Sequence, residues 1–169
     1  RDLEYIESQG HFDDADPATV SQEAKSRGRG QLGTIGSGNH FAEAEYVEKV
    51  FDKEAARVLG LHENQVTILI HTGSRGLGHQ IATDYIREML GVMQKYGIVL
   101  PDRELAAAPF ASPEGKRYFS AMKAGAHFAW ANRELIAHSI RKVWQNVFGQ
   151  AGGSLELIYD VAHNMAKFE

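Results

Sequence analysis

Between residues 31 and 41 the chain reads QLGTIGSGNHF, and no other run constrains the fold as tightly. Gly33, Gly36 and Gly38 let the backbone take conformations closed to other residues and turn its N–H groups toward an anion at close range. Thr34 and Ser37 add hydroxyls, and Asn39 and His40 follow directly. A histidine at the mouth of such a loop is placed to hold a metal beside the anion. The run reads as phosphate chemistry assisted by a metal.

The rest of the composition narrows the class. The 169 residues are enough for a sizeable core, and 43% hydrophobic with 24% charged residues describes a globular protein. A formal net charge of -4 argues against a generic nucleic-acid binder, though not against a locally basic groove. There is no cysteine, hence no disulfide and no thiolate ligand. No apolar run reaches membrane-spanning length, so a cytoplasmic protein without membrane association is expected. The chain starts at Arg1 rather than Met and stops at Glu169 just after a motif, which leads us to expect a piece of a longer protein.

Local signals give an order of elements. Asp16-Pro17 predicts a helix start, running to about Arg27. After the glycine loop, residues 39–47 read as a strand, and 52–59 as a short helix closed by Gly60. QVTILI at 65–70 is a short, β-branched, buried-type strand. It leads into HTGSRGLGH at 71–79 and a helix from about 77 to 96. A connection at 97–111 precedes Ser112-Pro113-Glu114, which opens a long helix with a bend or break expected midway. Its apolar members include Tyr118, Met122, Phe128, Leu135, Ile140, Trp144 and Phe148. A last strand is predicted at 155–161. No repeat or domain boundary is visible.

Three histidines fall at matching places: His40 after a glycine loop, His71 at the end of strand 65–70, and His163 at the end of strand 155–161. Distant segments can supply one site where strands end and loops begin. Imidazoles with oxygen ligands suit manganese, zinc or iron, and leave positions open for substrate oxygens. The loop at 71–79 adds backbone N–H groups at a helix start, the Ser74 hydroxyl and the Arg75 guanidinium, all suited to phosphate. It lacks the Lys-Ser/Thr ending of a Walker loop and the GxGxxG spacing. Lys25, Arg27 and Arg29 form a basic patch before the first loop, suited to a solvated helix end or a nucleic-acid backbone. In a regular strand Glu43 shares a side with Asn39, and His40 faces the other way unless the chain bends at the loop exit. His11, His62 and His138 read as exposed, His79 as starting a helix, and His127 as packed inside or capping a polar pocket.

Four segments carry a family resemblance: RGRGQLGTIGSGNHFAE at 27–43, HTGSRGLGH at 71–79, AMKAGAHFAWANRE at 121–134 and YDVAHNMAKFE at 159–169. They resemble the RtcB family of RNA ligases, over essentially the whole chain. The resemblance implies an α+β fold, a mixed β-sheet core with flanking helices, with residues 1–169 as one segment from the centre of the catalytic domain. It implies GTP and manganese as cofactors. The activity implied is joining of an RNA 3′-phosphate or 2′,3′-cyclic phosphate to a 5′-hydroxyl, through a guanylated histidine and a guanylated RNA end. His40, His71 and His163 match metal-binding positions of the family. Asn39, Phe41, Glu43 and Asn164 match positions near the guanylate, and Arg27, Gln31 and Arg75 match positions that hold RNA phosphates. RNA, such as tRNA halves, is the implied partner, and archease can act as an activating one.

The family's Asp and Cys metal ligands lie upstream of the matched segment, and its guanylated histidine and a nucleotide-contacting lysine lie downstream. The segment is therefore expected to be inactive alone. His127 stands where the family pattern has asparagine. A non-catalytic module binding metal or RNA phosphate, and a metal-dependent phosphoesterase, are the alternative readings.

Overall fold

The computed structural model describes residues 2–102 and 105–168. Arg103 and Glu104 of the expected 97–111 connection, and the terminal Arg1 and Glu169, lie outside the described residues. Four α-helices and two strands make the frame: α1 (Gln22–Gly28), β1 (Phe41–Tyr46), α2 (Lys53–Leu59), β2 (Val66–His71), α3 (Arg75–Val92) and α4 (Pro113–Phe148). Short 3-10 turns fill the N-terminal stretch and follow α3 and α4.

The α+β class holds, but the sheet is not the mixed core that was expected. β1 and β2 form a two-stranded antiparallel sheet, paired from Phe41↔His71 to Tyr46↔Val66. Alternation puts Ala42, Ala44, Tyr46, Val66, Ile68 and Ile70 on one face, and Phe41, Glu43, Glu45, Thr67, Leu69 and His71 on the other. Residues 155–161 form no strand. Only Asp160 pairs, through an isolated parallel bridge to Ile6. The stretch is tied to α4 instead: Leu157 packs against the cluster of Ile6, Ala126 and Trp130, and the Leu155 carbonyl accepts from Arg141 Nε at 2.9 Å.

The core lies between helices. Val20, Ala24, Ile81, Tyr85 and Ala121 are buried together where α1, α3 and α4 meet. A second cluster of Ile6, Ala126 and Trp130, with Phe12, Leu157 and Met165 against it, fastens the two chain ends to α4. The helix expected over 17–27 is divided. Asp16 caps a 3-10 turn at Pro17–Thr19, Val20 is extended, and Ser21 caps α1 by accepting from Ala24 N. At the end of α1, Gly28 allows contact with α3: a Cβ there would lie 2.8 Å from Leu77 Cβ.

α4 runs unbroken for 36 residues. Ser112 caps it, accepting from Gly115 N at 3.0 Å, and Pro113 occupies the first turn. Its buried stripe is made largely of small residues, Ala121, Gly125, Ala126 and Ala129, with Trp130, Asn132 and Ile136. Leu135 and Phe148, expected inside on size, are 43% and 50% exposed. Small residues win the interior here because they let α3 approach closely: Ile81 Cδ1 lies 3.5 Å from where a Gly125 Cβ would sit.

The N-terminal stretch is anchored on α4 by His127, whose Nε2 accepts from Phe12 N at 2.7 Å while its ring stacks on His11 with centroids 5.1 Å apart. Accepting that bond requires a neutral imidazole. Burial, and then the neighbouring His11, push the His127 pKa below its ordinary 6.5. His62 and His138 are exposed, as read from the sequence.

Gly28→Ala is expected to lower stability by about 1–3 kcal/mol through overpacking against Leu77, read as a fall in the urea midpoint. His127 supplies a second test. Its pKa is lower folded than unfolded, so the unfolded chain binds the extra proton first. Its contribution is complete above pH 6.5 and declines as pH falls below that value. His127→Asn keeps an acceptor and does not titrate. A series of melts should therefore show a smaller loss of Tm on acidification than in the parent.

Candidate functional site

The two glycine loops meet at one buried side chain. Asn132, fully buried on α4, accepts from Gly33 N at 2.7 Å and Thr34 N at 3.0 Å, and donates to Thr34 O at 3.0 Å and Gly73 O at 3.1 Å. That uses every donor and acceptor of its amide. The loops are also bonded to each other. Gln31 Oε1 accepts from Gly76 N at 2.7 Å, Thr72 Oγ1 donates to Ile35 O at 2.6 Å, and Arg75 Nε donates to Thr34 Oγ1 at 3.1 Å.

Arg75 has a left-handed φ of 54°, a conformation that costs a non-glycine residue of order 1–3 kcal/mol. It places the guanidinium directly over Gly36, where a Cβ would lie 2.0 Å from Arg75 Nη1 and 3.1 Å from His40 Nδ1. Gly36 is required by its backbone, at φ 111°, and any side chain there would also displace the Arg75 guanidinium.

The three histidines come together. The His40 and His71 rings have centroids 6.1 Å apart, and those of His71 and His163 are 5.2 Å apart. The strand does not begin until Phe41, so the bend at the loop exit turns His40 toward His71 and removes the conflict posed by strand alternation. His71 ends β2 opposite Phe41, whose ring meets it edge to face at 5.3 Å. His163 arrives on the C-terminal stretch, at a bend over 163–165. There Glu7 Oε2 accepts from Ala162 N at 3.0 Å, and Glu7 pairs with Lys167. Burial opposes the Glu7 charge, but those two partners outweigh it and hold the carboxyl below 4.5.

Two imidazoles on one ion, with metal–nitrogen distances of about 2.1 Å, have centroids roughly 4.5–6 Å apart. The His71–His163 spacing lies in that range and the His40–His71 spacing at its edge. Among the described residues, no three His, Asp or Glu side chains already converge as a group able to hold a metal ion. His40 Nδ1 lies 3.1 Å from Ser37 O, and donation there leaves the Nε2 lone pair free. The donor set fits a borderline ion such as manganese, zinc or iron.

The other sequence candidates divide. Glu43 is exposed on the His71 face of the sheet, beside Glu45, whose carboxyl is pushed up from its ordinary value by a hydrogen bond with Glu43. Asn39 and Asn164 are exposed next to His40 and His163. Ser74 lies at the start of α3, its Oγ against Gly78. Gln31 and Arg75 hold the loops, as above. Arg27 is exposed and faces α3, donating from Nη1 to Gln80 Oε1 at 2.6 Å, with His79 Nδ1 at 3.4 Å. No described contact brings His79 to the three histidines.

Sequence reasoning missed Asn132 and Arg133 as site residues. The signal was a polar pair, Asn-Arg, following AHFAWA inside an amphipathic helix, where a buried amide must find partners.

The sequence matches the family model described as "tRNA-splicing ligase RtcB" across residues 1–169. The chain belongs to the RtcB family. Curated relatives named tRNA-splicing ligase RtcB include those of Methanocaldococcus jannaschii, 59% identical over 99% of this chain, and Thermococcus kodakarensis, 55% identical over all of it. The protein of Pyrococcus furiosus is 56% identical, again over the whole chain. This RtcB chain spans 18% of the first and third of these relatives and 36% of the second.

Asn132→Ala should cost on the order of 2–4 kcal/mol by leaving loop amides unpaired. Asn132→Asp keeps the acceptors. Amide hydrogen exchange at Gly33 and Thr34 should accelerate strongly in the alanine variant and less in the aspartate one. Equal protection in both would sink the assignment.

Proposed function

We propose that this chain forms the metal- and guanylate-facing wall of a cytoplasmic RNA ligase that uses GTP and manganese. The ligase joins an RNA 3′-phosphate or 2′,3′-cyclic phosphate to a 5′-hydroxyl, in tRNA splicing or RNA repair. The observation that carries the reading is the meeting of His40, His71 and His163, from three separate segments, beside two glycine loops. Family membership supports it independently.

On this reading the three imidazoles hold manganese, which would offset charge on reacting phosphates. Asn39, Phe41, Glu43 and Asn164 lie near the guanine nucleotide. Arg27, Gln31, Ser74 and Arg75 lie along the RNA phosphates. Gln31 and Arg75 serve indirectly as well, since they fix the loop that carries the N–H groups. The Glu43 carboxyl oxygens can accept from the edge of a base. The nucleophilic histidine belongs to another part of the family's chain, so the segment alone binds but does not ligate. RNA ends are the substrate and archease an activating partner.

Titration of the chain with manganese is the direct test. His40→Ala, His71→Ala and His163→Ala should each weaken binding at least about tenfold, as loss of a ligand does. Unchanged affinity in all three would end the three-histidine reading. A ligated product from this chain alone, given GTP, manganese and matched RNA ends, would overturn the division of labour. Hydrolysis of a phosphate ester without GTP would favour a phosphoesterase instead.

A further inference from the structure

Arg133 and Asp160 are both withdrawn from water, with side chains 11% and 8% exposed. A buried ion pair is a poor source of stability, because desolving two charges offsets most of their attraction. What the pair connects is more informative. Arg133 Nη1 donates to Thr72 O at 3.1 Å, while Nε donates to Asp160 Oδ1 at 2.7 Å and Nη2 lies 2.6 Å from the same oxygen. Thr72 directly follows His71, and Asp160 lies three residues before His163. Asp160 is held from its other side as well. Its N–H donates to Tyr5 O and its carbonyl accepts from Glu7 N, both at 2.9 Å.

One planar guanidinium therefore stands between the backbone leaving His71 and a braced anchor of the segment carrying His163. We propose that Arg133, with Asp160, is a positioning pair that fixes the separation of His71 and His163. The purpose of that spacing rests on the metal-site reading above; the spacing itself does not. Arginine suits the task because its rigid fork serves two acceptors at a set angle, whereas a lysine ammonium is a point charge on a flexible stem. The carboxylate also cancels the guanidinium charge, so the brace places no net positive charge beside a cation site.

Removing one partner would strand a buried charge. The informative variant is therefore Arg133→Met with Asp160→Leu, which replaces both by apolar groups and leaves stability nearly unchanged where such pairs have been exchanged. In the intact protein with labelled histidines and no metal, an NOE between the His71 and His163 rings is expected in the parent and lost in the double variant. Manganese affinity should fall with it, at least about tenfold. An NOE of parental strength in the double variant overturns the inference, whatever metal binding does. If the double variant does not fold, Arg133→Lys keeps the charges but cannot serve both acceptors. It should weaken the same NOE, and full strength there is equally fatal. His163→Ala separates the two ideas: unchanged manganese affinity in that variant ends the metal reading while leaving the ring-to-ring result to stand or fall alone.

Discussion

The carboxamide of Asn132 has two lone pairs and two N–H groups, and all four engage backbone of the two glycine loops. Gly33 and Thr34 of the first loop, and Gly73 between β2 and α3, lie outside any strand ladder or helix, and glycine-rich backbone is costly to order. A rigid amide on a long helix supplies the missing partners, and each bond adds about 1 kcal/mol net. Leaving the buried groups unpaired would cost more than the bonds contribute. Loop shape, and with it the places of His40 and His71, follows from where α4 holds one side chain.

α4 can do this because it is unbroken and closely packed. The stripe of alanine and glycine brings α3 close, and α3 begins in the second loop. Asn132 and Arg133 are consecutive, so they project about 100° apart around the helix. One reaches the two loops; the other reaches Thr72 and the C-terminal stretch. Three segments remote in sequence are thereby referred to a single turn of helix.

Much of this was legible in the sequence, and what was not has physical causes. The helix ends at Ser112 and Gly60 act locally, so their signals read correctly, and so did the two strands, whose antiparallel pairing with each other was not read. The split at Val20 was hidden because Asp16 and Ser21 both offer plausible caps, and only packing against α3 selects the second for the helix. Residues 155–161 have strand composition but lie against α4, and they pair with another extended residue at one position only. Size misled along α4: Leu135 and Phe148 lie toward solvent while alanines face inward. The three histidines were named from the sequence, but their closeness is a matter of tertiary packing, and the one local hint of what α4 holds, the polar Asn132-Arg133 pair in an apolar stretch, went unread.

The bonds that build the site join residues far apart along the chain: Gly33 to Asn132 across 99 positions, and Ala162 to Glu7 across 155. Closing such long loops delays the reward of each contact until most of the chain is present. During synthesis, His40 and His71 would leave the ribosome well before α4 could fix them, and His163 last of the three. The three imidazoles would become a cluster only once the stretch carrying His163 docks, so their meeting reports on tertiary closure rather than on any local folding step.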